Sequence, residues 1–362
     1  MSVQILHEKV LLRPQDLKSL VPNCEVIGTF NPAAIRFHDE IILLIRVAER
    51  PYSTDPNVLI APRTRTKNGR LEWVFDTFDA TGVDTEDPRK FTLPDGPQRL
   101  SSISHLCLAR LTSDGENIKE ITNPSELFPC EPWEELGIED PRITQINDTF
   151  YITYVAVSRQ MGVATALMTT KDFLTFERHG IIFSTENKDI VLLPERWKDH
   201  YVAYHRPVSY HRFGAPSIET AISPDCIFWG KHRYLFGPRP GGWDGVKVGA
   251  GAPPIRLSEG WLLIYHGVTS STAESPGGRY SAGAVLLDID NPLRLIARSR
   301  DPLLKPERNY EKHGFMPNVI FPTGAILSED KKDLLLFSGA ADEVVTRLSI
   351  PLQSILQHLQ EE

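Results

Sequence analysis

Five stretches of this 362-residue chain share one design, and their ends carry the residues best suited to chemistry. Each has a proline near the start of an apolar strand, a polar break, and a second apolar run. They begin at Asn31, Glu139, Leu192, Gly251 and Met316. The residue before the proline is Asn31, Asp140, Leu193, Pro253 and Met316, so one copy alone has an acid there. A carboxyl aimed into a partly dry channel is pushed toward its neutral form, which suits a proton donor. The second runs end in Arg46, Arg159, the pair His205 and Arg206, the pair Tyr265 and His266, and Asp342. If these strand ends converge, Arg46, Arg159, His205, Arg206 and His266 face one acid across a common cavity, with Lys188 adding a further charge. Guanidinium groups pair in bidentate fashion with phosphate-like oxyanions, so the set reads as an anion pocket. The plainer alternatives are that each cation is a solvated strand end and that Asp140 caps a turn.

What must position these groups is a repeat. A second phrase follows each copy (near Leu106, Val163, Glu219, Ser281 and Val344), so the unit recurs roughly every 60 residues. A fixed period with about four short strands per unit is the signature of a propeller. The expectation is an all-β, five-bladed β-propeller over residues 31–349. An N-terminal extension with a short helix near Arg13 occupies 1–30, and a C-terminal helix occupies 350–362. In that last segment Leu352, Ile355, Leu356 and Leu359 fall on one helical stripe after Pro351, read as a cap on the ring or as a homo-oligomer contact. Residues 50–100 and 123–137 read as loops over one face.

Composition narrows the partners. The formal net charge is −8, which argues against nonspecific nucleic acid or anionic membrane binding. The longest purely apolar stretch, Ile41 to Ile45, is too short to span a bilayer, and the start has no secretory pattern, so a cytoplasmic protein is expected. The four cysteines lack metal-ligand spacing and read as buried, reduced thiols. No metal site is expected, since His205 and His211 are not spaced as a strand-borne pair. Trp133, Tyr210, Trp243 and Tyr280 lie in loop-like stretches and would suit stacking on sugars.

Taken in order, NPAA…LLIRV, IEDPRIT, NKD…LLPERW…YHRP, GAGAPPI…GWLLIYHG, YSAGAVLLDIDNPL and GFMPNVIFPTGA…SGAAD resemble the family 130 glycoside phosphorylases, nearly the whole chain being covered. The resemblance implies inverting phosphorolysis of a β-mannoside, giving α-mannose 1-phosphate and a shortened acceptor. Inorganic phosphate is then a co-substrate, no cofactor is needed, and the other partner is a mannose-containing di- or oligosaccharide, preferentially β-1,2-linked. The family's single catalytic acid falls on Asp140, acting through the 3-hydroxyl of the bound mannosyl unit. Phosphate ligands carry over onto Arg159, Lys188, His205 and Arg206, with Arg178 left open. Asn31, Arg46 and Asp342 resemble the residues that hold the mannosyl unit, and Tyr265 and His266 match a fourth-blade motif. Arg196 stands where the family often has lysine. An inverting hydrolase would need a second carboxyl group as base, for which Glu195 or Glu219 could be recruited. A non-catalytic glycan-binding propeller is the third reading.

Overall fold

The structure, a computed structural model, describes residues 3–67, 70–184, 186–208, 213–273, 275 and 277–361. Tyr210, His211 and Arg212 lie outside the described residues. Five antiparallel sheets form the five blades. Blade one is built from strands 24–37, 40–51, 103–111 and 118–122, blade two from 138–146, 149–158, 162–170 and 177–183, and blade three from 187–192, 201–207, 218–223 and 230–236. Blade four contains 247–250, 261–268, 280–287 and 295–299. Blade five contains 320–327, 333–340 and 344–351, and its outer strand is His7–Leu12 from the other end of the chain. The first strand of each blade is innermost, and these strands pack on their neighbours about a common axis.

The β-branched and leucine-rich second strands explain the core. Ile41 to Ile45 are completely buried, as are Leu334 and Phe337 in the matching strand of blade five. Separate apolar clusters fill the interfaces between blades, for example Ile42, Leu44, Ile143 and Ile152 between the first two. All four cysteines are free thiols, three buried and Cys130 half-buried.

Several expectations are corrected at the edges. Near Arg13 there is only a single 3-10 turn, Pro14–Asp16, flanked by the strand His7–Leu12 and by the start of the strand Cys24–Phe37. The C-terminal helix stops at Leu356, and Leu359–Glu361 pairs with Leu295–Ser299 as an added strand of blade four. The apolar stripe therefore serves the ring itself, and Ile355 is fully buried. Residues 50–100 are two hairpins, Val58–Lys67 with Arg70–Asp79 and Lys90–Thr92 with Gln98–Leu100. Among the described residues, no helix is long and apolar enough to cross a membrane.

The pairing of His7–Leu12 with Val344–Pro351 closes the circle, because it joins the two chain ends in one sheet. Deleting residues 1–12 removes buried Leu12 and leaves an unpaired strand edge. The expected outcome is a thermal midpoint lowered on the order of 5–10 °C, with increased aggregation, measured by calorimetry and light scattering.

Candidate functional site

Where the innermost strands meet, they do not run straight. Each of four carries a bulge, between Phe30 and Ala33, Glu139 and Arg142, Lys188 and Val191, and Pro322 and Gly324. Within the first three, Asn31, Asp140 and Asp189 sit at positive φ of 49°, 46° and 58°. Asn and Asp tolerate this region better than most side chains, and a bulge re-aims the side chain it carries. All three are thereby turned toward the axis. They line a cavity of about 790 Å³ together with Arg46, Lys188, Arg206, Lys247, His266, Tyr280 and Asp342, among others.

The structural equivalent of Asp140 in blade three is thus Asp189, not Leu193. The expectation of one inward acid is corrected accordingly. Leu192 and Leu193 lie beyond the bulge and are buried in apolar clusters, so the LLP phrase belongs to the strand's far end.

Asp140 accepts hydrogen bonds at Oδ1 from Asn31 Nδ2 (2.8 Å) and from Arg46 (3.0 Å). Arg46 also donates to Glu139 (2.8 Å) and, through Nε, to Ser104 (2.9 Å), and it lies over the Phe30 ring. Behind Asp140, buried Arg142 donates to the backbone carbonyls of Asp140 (2.7 Å) and Gly251. Burial alone would raise the Asp140 pKa, but Arg46, Arg142 and Asn31 outweigh it and hold the carboxyl below its ordinary value. In the empty cavity it is therefore ionised at neutral pH, contrary to the expected neutral acid. The carboxyl that is raised is Asp342, pushed up to about 6 by burial, with Arg46 and Arg89 opposing and Asp140 and Glu139 adding.

The cations divide into paired and unpaired. Arg206 clamps Asp189 (2.7 and 2.8 Å), and burial of Asp189 is overcome by Arg206, His266 and Arg142, which hold it well below the usual carboxylate range. Arg159 lies at the rim with its guanidinium on Glu135. Arg89, supplied by the segment between the two hairpins, is paired with Asp87 at the mouth (2.8 Å). Lys188 and Lys247 face the same space, and among the described residues neither amine has an ion-pair partner. Burial, then Arg206, pull the Lys247 pKa down to about 8. Its Nζ lies 5.0 Å from the centre of the Tyr280 ring. Buried His266 stacks on Tyr280, and among the described residues neither of its ring nitrogens has a hydrogen-bond partner, with Nε2 3.5 Å from Asp189. Burial drives its pKa down to about 3, so the ring is neutral.

Two expected ligands are elsewhere. His205 does not line the cavity and meets Asn187 (3.0 Å) and His232 (3.1 Å) within blade three. Tyr265 is fully buried behind the cavity, donating to Asp244 (2.9 Å) beside Arg298. Arg178, the undecided candidate, pairs with buried Glu134 (3.0 Å) and donates to the Phe128 carbonyl. Of the two glutamates considered as a base, Glu195 pairs with Arg256 at the surface (2.6 Å), and neither it nor Glu219 lines the cavity. Arg196 holds a turn through the carbonyls of Asp199 and Pro224. Residues that the sequence reading missed are Lys247, Asp189, Arg89 and Arg142. The signal for Asp189 was present as NKD immediately before an apolar run, and Arg142 was within the quoted IEDPR.

A small anion entering this cavity meets Lys188, Lys247 and the outer edge of Arg206. The Lys247 amine is charged below about pH 8 and neutral above it. Sulfate or phosphate affinity, measured by calorimetry, should therefore fall as pH rises through about 8. Lys247→Met should weaken binding at pH 7 by roughly 10- to 100-fold and flatten the pH dependence.

Comparison with known proteins identifies the family. The model of glycoside hydrolase family 130, described as beta-1,4-mannooligosaccharide phosphorylase, matches residues 99–361. A beta-1,2-mannobiose phosphorylase of Listeria innocua is 40% identical over all of this chain and 99% of its own length. A 1,2-beta-oligomannan phosphorylase of Thermoanaerobacter is 35% identical over 65% of this chain and 75% of that protein. The Listeria innocua enzyme's structure in complex with beta-1,2-mannobiose superimposes with a TM-score of 0.88, covering 96% of each chain at 39% identity.

Proposed function

The chain belongs to glycoside hydrolase family 130, and from that premise we propose that it cleaves a β-1,2-linked mannobiose or mannooligosaccharide with inorganic phosphate. The products are α-mannose 1-phosphate and the acceptor shortened by one sugar. The observation that carries this reading is the pair of amines, Lys188 and Lys247, which have no ion-pair partner among the described residues and face the same cavity as Asp140 beside Arg206. A water nucleophile would need a carboxylate base and no such excess of cations. Phosphate is already an anion, and it needs fixed positive charge on the far face of the sugar.

In the proposed mechanism a phosphate oxygen attacks the anomeric carbon as the glycosidic bond breaks, with inversion. The departing acceptor oxygen takes the mannosyl 3-hydroxyl proton, and that hydroxyl is reprotonated by Asp140. Asn31, Arg46 and Asp342 hold the mannosyl unit. The cations that keep Asp140 ionised in the empty cavity are the reason the acid waits for its substrates. Bound phosphate offsets positive charge, and bound sugar displaces water; both raise the Asp140 pKa toward the range where it can donate. Neutral His266 adds a polar wall without adding charge.

The preference for β-1,2 linkage rests on the full-length likeness to the Listeria innocua enzyme, although the family model is described by a β-1,4 activity. A cytoplasmic site of action fits a reaction whose phosphorylated product does not cross membranes unaided. The rival reading, an inverting β-mannosidase, loses support because Glu195 and Glu219 are outside the cavity.

The test is phosphorolysis of β-1,2-mannobiose with and without phosphate. Turnover should require phosphate and release α-mannose 1-phosphate, and phosphate-independent release of mannose would overturn the reading. In reverse, α-mannose 1-phosphate should extend mannose through a β-1,2 bond, whereas a dominant β-1,4 product would reject the linkage. Asp140→Asn should lower kcat by roughly 10²- to 10⁴-fold while saccharide binding persists.

A further inference from the structure

Outside the axial cavity, blade three gathers a second group of side chains that the phosphorolysis reading does not use. His205 on its second strand, Glu219 on its third and His232 on its fourth bring their ligand atoms within 4.8 Å of one another. We propose that these three side chains form a binding site for one borderline divalent transition-metal ion, of the type of Zn²⁺.

The spacing supports coordination. Two imidazole nitrogens bound at 2.0–2.1 Å to one tetrahedral zinc ion are about 3.3 Å apart. His205 Nε2 and His232 Nδ1 lie 3.1 Å apart. The Glu219 carboxylate makes no hydrogen bond or ion pair among the described residues, so its oxygens are available as the third ligand. A bare hydrogen bond between the two imidazoles accounts for the histidines but gives this carboxylate nothing to do. Two imidazoles and one carboxylate select Zn²⁺ and its neighbours over the hard ions Mg²⁺ and Ca²⁺.

A supporting layer is present as well. The other nitrogen of His205, Nδ1, faces the Asn187 side-chain amide, 3.0 Å from Nδ2 and 3.3 Å from Oδ1. With the amide turned so that Oδ1 accepts from Nδ1–H, the Nε2 lone pair points at the ion, as in metal-bound imidazoles generally. Asn187, His205, Glu219 and His232 thus run across all four strands of the blade in succession. Burial grades outward along that line: His205 is buried, Glu219 half-buried and His232 exposed. An ion can enter from solvent and keep a water as fourth ligand. The Phe183 ring, 4.8 Å from that of His205, closes the inner side.

The role assigned is structural. The ion would tie the solvent-facing strand of the blade to the strand whose next residue, Arg206, clamps Asp189 in the cavity. Nothing in the phosphorolysis steps passes through it.

Full-length protein stripped with chelator, in phosphate-free buffer, is titrated with ZnCl₂ and separately with MgCl₂. Calorimetry reads stoichiometry and affinity, and thermal unfolding reads stabilisation. Expected are one zinc ion per chain, an upward shift of the unfolding midpoint, and no response to magnesium. His232→Ala and Glu219→Gln should each weaken zinc binding roughly tenfold or more and abolish the shift. Their metal-free midpoints should match that of stripped wild type, which shows that the fold is intact. If His232→Ala does not fold, the Glu219→Gln comparison decides alone. Absence of zinc binding, or binding unchanged in both variants, would overturn the proposal. Metal-free phosphorolysis should proceed equally in wild type and variants. A protein with no phosphorolysis at all would count against the proposed function and leave the zinc result as it stands.

Discussion

Charge that is taken out of water must be balanced by charge or by directed hydrogen bonds, and the axial cavity is organised by that constraint. Asp140 is balanced by Arg46 and Asn31, Asp189 by Arg206, and the backbone carbonyls at the neck by Arg142. Two amines, Lys188 and Lys247, have no ion-pair partner among the described residues. In the proposed reaction an incoming dianion would complete the balance and so change the proton affinity of the acid beside it. Binding and acid strength are therefore two readings of one electrostatic quantity. The lowered pKa of Asp140 in the empty cavity fits such a device, because an acid protonated from the outset would not depend on the anion's arrival.

The backbone makes this arrangement available. Without bulges, the innermost strands would present alternate residues to the two neighbouring blades and very little to the axis. The positive φ at Asn31, Asp140 and Asp189 aims three short polar side chains inward at one level. Such positions are strained for residues other than glycine and persist where the surroundings hold them. Here the surroundings include Gly339, where an added Cβ would stand 2.1 Å from Asn31 Oδ1. Ring closure by His7–Leu12 then keeps the five strands at fixed mutual distance.

Strand geometry also explains which site residues could be read in advance. His205 and Arg206 are neighbours on one strand, as are Tyr265 and His266, and neighbouring strand residues point to opposite faces. Only one of each pair can reach the axis. Arg206 and His266 do, while His205 goes to the blade-three cluster and Tyr265 to the Asp244–Arg298 network. That alternation was legible in the sequence, and it places His205 and Tyr265 away from the axis. The misplacement of the blade-three repeat has a different origin. Proline was used as the marker, and Asp189 is followed by Ile190, so the copy was registered on Leu193-Pro194 instead. Bulge position is set by pairing with the next strand, which the one-dimensional pattern does not contain.

The repeat, its period and the apolar second strands were enough to establish five blades, because the hydrophobic pattern of each sheet is local and recurs. Arg46 and Arg206 could be picked out because strand-end cations recur at matched places in that pattern, Asp140 because one copy alone has an acid before its proline, and Lys188 because it stands just before a copy. Tertiary structure alone decided what those groups are worth. Some charges meet partners from another blade, as Arg46 of blade one meets Asp140 of blade two, and the segment between the hairpins brings Arg89 to the mouth. Proton affinities depend on distance and burial in three dimensions, which is why, in the axial cavity, the pKa of Asp342 is raised while that of Asp140 is lowered.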